Sequence, residues 1–171
     1  MASKLGMEVK REVKTPKLTI KTETKKERQA AMAALIKGVQ ASSGRIQSYL
    51  PTLLNSAMES TVWDWPRDTI RSDGSRASTR RDIVDTGKLK GSLKVSTKFM
   101  KTKTVFTISY SAPYASLVHE GGYIRPYGDP SRDTVYLPGR PWITASMEGG
   151  VSGIESIDLQ AEFLVGIAGK W

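Results

Sequence analysis

The chain contains no cysteine and a single histidine, His119. The first absence excludes disulfides and thiolate zinc sites and fits a reducing compartment. The second excludes a metal site built from several histidines of one chain. No run approaches the ~18 consecutive apolar residues of a membrane-spanning helix, so no membrane partner is expected. The opening "MASKLGMEVKREVK" lacks the apolar core of a secretory leader. There is no G-x-x-x-x-G-K-[ST] phosphate loop and no G-x-S-x-G nucleophile elbow. Neither of these motifs is therefore present to cradle a cofactor phosphate or present a serine nucleophile, and no cofactor is expected.

What is present is enough for a folded body. Of 171 residues, 39% are hydrophobic and 25% charged, a balance that supports one domain with a core rather than disorder. The net charge of +9 is unevenly placed. Residues 1–28 carry +5, residues 29–66 are neutral, residues 67–103 carry +7 and residues 104–171 carry −3. Such asymmetry suits a surface facing nucleic acid, complementary packing between subunits, or an ordinary solvated surface.

Residues 1–25 read as a basic N-terminal arm, with Leu18 and Ile20 alternating as a short edge strand would, and residues 26–171 as a single α+β domain. From Lys26 the apolar period becomes helical: Met32, Leu35/Ile36, Val39, Ile46, Tyr49/Leu50 and Leu53/Leu54. Thr24 and Glu27 have capping-box spacing. Pro51 lacks an N–H and crowds the preceding turn, so a kink or break is expected near Gln47–Leu50. Residues 67–81 are polar and basic and read as an exposed loop around the Asp73-Gly74 turn. Two alternating segments then predict a hairpin. Leu89, Leu93, Val95 and Phe99 lie on one face of the first strand, opposite Lys90, Lys94 and Lys98; Phe106, Ile108 and Tyr110 follow in the second strand. "PYASLVHEGG" predicts a short helix ended by glycine. Residues 123–140 read as a long irregular loop, with "TVYL" as a short strand inside it. Two more helical segments follow. The fold class is α+β, a long N-terminal helix packed on a small antiparallel sheet, with shorter C-terminal helices.

Several residues invite a chemical reading. "DTGK" (Asp85–Lys88) resembles half of an aspartic-protease pair or a phosphate loop, but stands alone and precedes a strand. A turn explains it as well: Asp85 accepts N–H bonds, Gly87 takes a dihedral other residues dislike, and Leu89 begins the strand. His119-Glu120 could move protons, with Ser111 or Ser116 as nucleophile, or could simply complete a helix C-terminus. Asp64, Asp68, Asp73, Asp82 and Asp85 match no metal-ligand spacing. Trp63, Trp65 and Trp142, beside Arg67 and Arg140, suit base stacking, interface anchoring or packing onto the sheet.

Taken in order, "WPRDTIRSDG", "RDIVDTGKLKGSL", "YSAPYASLVHEGG" and "PGRPWITASM" resemble the phage tail-completion and head–tail joining family over about residues 60–147. The matching positions are Trp65, Pro66, Arg67, Asp85, Thr86, Gly87, Leu89, Ser92, Tyr114, Ala115, Glu120, Gly121, Arg140, Pro141 and Trp142. The resemblance implies a non-enzymatic virion protein, assembled in the host cytoplasm. It implies a ring of identical copies, expected to be a hexamer, at the neck or the head-proximal end of the tail. Neighbouring neck, connector or tail-tube proteins would be its partners, and DNA would pass through the lumen without sequence-specific binding. Asp85, Thr86, Gly87 and Leu89 then read as a turn signature. Trp63, Trp65, Arg67, Glu120, Arg140, Trp142, Lys90 and Lys94 read as candidate interface residues. The alternative is a basic nucleic-acid-binding protein using its Lys-rich strand face and arm.

Overall fold

The longest helical period in the sequence produces the longest element. In the computed structural model, which describes residues 6–16, 24–100, 102–125 and 131–169, helix α1 runs unbroken over Lys25–Glu59. The capping box forms: the Glu27 amide donates to Thr24 Oγ1 at 3.2 Å, and the Thr24 amide donates to Glu27 Oε2 at 3.1 Å. Pro51 lies inside the helix and does not break it, contrary to expectation. An interior proline costs ~3 kcal/mol. Ile46, Leu50, Leu53 and Leu54 on either side of it are buried, and each such side chain returns about 1.5–3 kcal/mol. Burial therefore outweighs the lost hydrogen bond.

The sheet has three strands in the order β1 (Met7–Lys14), β7 (Lys103–Tyr110), β6 (Leu93–Phe99), all antiparallel. The strand β1 corrects the reading of residues 1–25 as a free arm. It pairs along its whole length with β7, from Met7↔Tyr110 to Lys14↔Lys103. Its charges masked a strict period of two. Met7, Val9, Arg11 and Val13 share the face of Phe106, Ile108 and Tyr110, while Glu8, Lys10, Glu12 and Lys14 point away. Gln160 closes the end of this edge, donating to the Lys14 carbonyl at 3.2 Å and accepting from the Lys14 amide at 2.8 Å. Leu18 and Ile20 lie outside the described residues.

Helix α1 covers the inner sheet face together with α4 (Trp142–Glu148) and α5 (Leu159–Ile167). Two core clusters result: one around Leu54, Met58, Ile108, Tyr110 and Trp142, the other around Ile46, Leu50, Leu53, Phe106 and Phe163. An α-carbon without a side chain allows α5 to approach α1, because a Cβ on Gly38 would sit 3.3 Å from the Ile167 carbonyl. Ser42 Oγ donates to the Phe163 carbonyl at 2.9 Å, one turn along the same seam.

Two regions expected to be loops are ordered instead. Residues 67–81 belong to nested ladders: β2 (Trp63–Asp64) with β5 (Arg80–Arg81), and β3 (Thr69–Ile70) with β4 (Arg76–Ala77). The Asp73-Gly74 turn closes them, with Asp73 Oδ1 accepting from the Ser75 amide at 2.8 Å and Gly74 at φ +84°. Residues 123–140 contain a hairpin of β8 (Gly121–Ile124) and β9 (Val135–Pro138), so "TVYL" is largely a strand; residues 126–130 lie outside the described residues. The short helix expected in "PYASLVHEGG" is α3, Ala115–Glu120.

Candidate functional site

The chain segment after α1 is threaded so that "WPRD", "DIVDTG" and "GRPW" meet. Three donors finish the helix C-terminus. The Ser60 amide reaches the Ser56 carbonyl, Trp63 Nε1 the Ala57 carbonyl at 2.8 Å, and the Ile83 amide the Met58 carbonyl at 2.8 Å. Carbonyls of a last helical turn have no partner within the helix, so this capping fixes both "WDW" and "DIVD" against the helix end. Trp63 is consequently core, not an exposed anchor.

Trp65 is half-buried beside it and carries two cations. The guanidinium carbon of Arg140 lies 3.7 Å and that of Arg81 3.8 Å from its ring centroid, within the range of cation–π attraction. Arg140 is fully buried. Its Nε and Nη2 donate to the Asp64 carbonyl at 3.2 and 3.0 Å, and its backbone amide donates to the Val118 carbonyl. Burial, and next the nearby Arg81 charge, pull its pKa down to about 10, so it remains cationic at neutral pH. Burial first and the Arg71 charge second also lower the pKa of Arg81. Arg140 Nη1 and Trp65 Nε1 are buried and have no hydrogen-bond partner among the described residues. Trp142 is buried beneath, donating through Nε1 to Tyr110 Oη at 3.0 Å, with its ring edge-on to Tyr110 and His119.

The DTG corner is pinned from across the chain. Arg71 Nη2 contacts both Asp82 oxygens, at 2.9 and 3.0 Å, and its Nη1 donates to the Val84 carbonyl. Asp85 Oδ1 accepts from the Ser72 amide and hydroxyl, each at 3.0 Å. Gly87, at φ +75°, starts the single turn α2 (Lys88–Gly91). The turn reading of the motif therefore holds. Leu89, however, does not begin a strand: it lies buried in α2, and β6 starts at Leu93. Lys90 consequently leaves the strand face and pairs with Glu59 at the end of α1. Asp85, Thr86, Gly87, Leu89, Trp65 and Tyr114 line one cavity of about 190 Å³.

The remaining chemical candidates separate. His119 Nδ1 lies 2.6 Å from Glu120 Oε1, while its Nε2 is buried and bonds to neither Ser111 nor Ser116. Glu120 itself is exposed, as are Arg67 and Lys94. Asp68 pairs with Arg76 at 3.4 Å, and hydrogen bonds from Ser75 hold the Asp73 carboxyl below its ordinary pKa. Among the described residues no group of three or more histidines or carboxylates could hold a metal ion. Of the expected interface residues, Trp63, Arg140 and Trp142 are buried inside this chain. Their size and polarity were read as anchoring a partner, but helix capping and stacking take them inward.

Arg81 and Arg71 were missed by the sequence reading. Their signal was the Asp73-Gly74 turn: pairing outward from it brings Arg81 opposite Trp63. The outer sheet face is a second feature of the surface. Lys10, Lys14, Lys94, Lys98 and Lys103 project from it beside Glu8 and Glu12, with Lys10 paired to Glu8 and Lys103 to Glu12.

Set against known protein families, curated proteins and solved structures, the chain gives no significant match in any of the three. No helix among the described residues is long and apolar enough to cross a membrane.

Proposed function

We propose that the chain is a structural, non-enzymatic protein of a tailed-phage particle, acting as a self-assembling ring at the neck or the head-proximal end of the tail. One observation carries this reading. Motifs separated by up to about eighty residues converge on one junction, where Trp65, Asp85–Leu89, Tyr114 and Arg140 hold the helix end, the corner and the hairpin base together. Their common work is to fix a shape. That is what a shared motif set does in an assembly protein, whereas a catalytic set would converge on a reacting atom. Projecting elements then remain free for neighbours, among them the β8–β9 hairpin with its exposed, edge-packed Tyr123 and Tyr136. Negative-stain microscopy of the purified protein tests the reading. Closed rings are expected, and a dispersed monomer at all concentrations overturns it.

The outer sheet face favours a second reading. Five lysines against two glutamates on one sheet face suit the phosphates of nucleic acid. If that contact is the main function, a monomer will bind duplex DNA with an affinity that falls steeply with salt. Lys94→Glu with Lys98→Glu will then abolish binding and leave folding intact.

A further inference from the structure

The outer half of α1, Lys25–Ala41, buries no residue, yet nothing on it singles out a partner. The edges of the three-stranded sheet do. β1 and β6 flank β7, so each has one side that faces away from the sheet. In an antiparallel pair, alternate residues turn both backbone groups toward the partner strand and the others turn both away. The Thr15 amide donates to the Thr102 carbonyl at the end of the β1–β7 ladder, and the Met100 amide to the Lys103 carbonyl at the end of β6–β7. Two-residue steps from these bonds turn Glu8, Lys10, Glu12 and Lys14 outward on β1, and Leu93, Val95, Thr97 and Phe99 outward on β6. Gln160 takes the Lys14 groups, as this pattern requires. The outward backbone groups of Lys10, Glu12, Leu93, Val95, Thr97 and Phe99 bond to no other described residue.

The side chains beside these edges are patterned. On the outer sheet face β1 presents Glu8, Lys10, Glu12 and Lys14, and β6 presents Lys94, Ser96 and Lys98. Lys94 and Lys98 pair with no carboxylate among the described residues. Glu8 and Glu12 hold Lys10 and Lys103 and stay about half exposed. A carboxylate can accept from more than one donor.

We infer that the β1 edge of one copy of the chain adds to the β6 edge of the next and continues the sheet from copy to copy. Both strands run antiparallel to β7 and so point the same way. The added strand is therefore parallel, and the helices of both copies stay on one side of the joined sheet. In a parallel pair, a residue bonds to the two neighbours of the residue it faces. Lys10 of one copy faces Ser96 of the next, with its amide on the Val95 carbonyl and its carbonyl on the Thr97 amide. That register sets Glu8 beside Lys94 and Glu12 beside Lys98. A slip of two residues, the smallest that keeps both faces, sets Lys10 beside Lys94 in one direction and beside Lys98 in the other. Two β6 edges would bring lysine toward lysine, which blunts self-pairing. A contact between two different edges repeats from copy to copy and closes into a ring where its rotation allows. The inference rests on the self-assembly reading and names the edges that perform it.

The chain has no cysteine, so introduced cysteines report the register. Lys10→Cys and Ser96→Cys chains, freed of nucleic acid, are mixed and oxidised, and the products are separated on non-reducing gels. A disulfide needs Cα atoms within ~7 Å. The 10–96 product is therefore expected to exceed the homotypic products, and also those of Lys10→Cys mixed with Lys94→Cys or Lys98→Cys. In light scattering, Lys98→Glu is expected to weaken self-association about tenfold or more with the unfolding temperature of the monomer unchanged. Adding Glu12→Lys to Lys98→Glu is expected to restore association, which a general effect of charge would not do. Oligomers that give other disulfides, or that are indifferent to Lys98→Glu, overturn this contact and leave the ring reading standing. A monomer at every concentration overturns both.

Discussion

The junction around Trp65 and the outer half of α1 reverse the usual expectations of residue type. Tryptophan and arginine beside one another look like interface anchors, yet Trp63, Arg140 and Trp142 are enclosed within the chain. Met32, Ile36 and Leu164 look like core, yet they are exposed. The junction is polar material organised by fixed hydrogen bonds to backbone carbonyls. The bare helix faces are apolar material with no partner among the described residues of their own chain. Residue type therefore reports how much free energy a side chain can contribute, while its position decides whether the fold receives it.

The sharpest test sets one side chain from each region against the other. Trp142→Ala removes a fully buried indole, its bond to Tyr110 and its contact with His119. A loss of about 3–5 kcal/mol is expected. Ile36→Ala should change monomer stability by no more than about 0.5 kcal/mol. Urea unfolding of dilute protein measures both, and similar losses would erase the distinction.

Much of the contrast was legible in the sequence where signals are local. The capping box at Thr24, the helical period of α1, the turn at Gly87 and the glycine ending α3 each depend on a few neighbouring residues, and each formed. What was hidden depends on distant partners. β1 looked like an arm because its outward residues are charged, and only pairing with β7, some ninety residues on, gives its inward residues a core. Pro51 was over-weighted because its local cost is fixed, whereas the burial that offsets it is tertiary. Trp65 was noticed, but neither of the cations above it could be assigned without the fold.

Alkaline pH probes the junction from within. Burial raises the Tyr110 hydroxyl to about 12 from its ordinary 10, opposed by the Trp142 hydrogen bond. The unfolded chain therefore ionises first. Stability from this group is complete below pH 10 and is lost as pH rises to 12, by on the order of 2 kcal/mol. Tyr110→Phe should remove that part of the decline in a series of urea melts. An unchanged slope would mean that Tyr110 reaches water more easily than its burial indicates.

Gly87→Val tests the corner itself. The position has room for a side chain, but φ is +75°, where a β-branched residue is strained by about 1–2 kcal/mol or more. Gly91→Ala, four residues on, has the same room without the positive φ. It should be nearly neutral. If the two variants melt together, the corner's conformation is not what holds it.

The smallest effect divides α1 along its own length. Gly44 has open space at its Cβ position, so Gly44→Ala should stabilise the helix by about 0.5–1 kcal/mol. Gly38 offers the same gain in propensity, but its new methyl group would press on the Ile167 carbonyl at 3.3 Å. Gly38→Ala should therefore gain less than Gly44→Ala, and Gly38→Val should lose stability outright. Equal gains at both alanine positions, read from thermal melts, would show that α5 yields at its last turn. The seam with α1 would then be looser at Gly38 than at Ser42, where a hydrogen bond to Phe163 holds it.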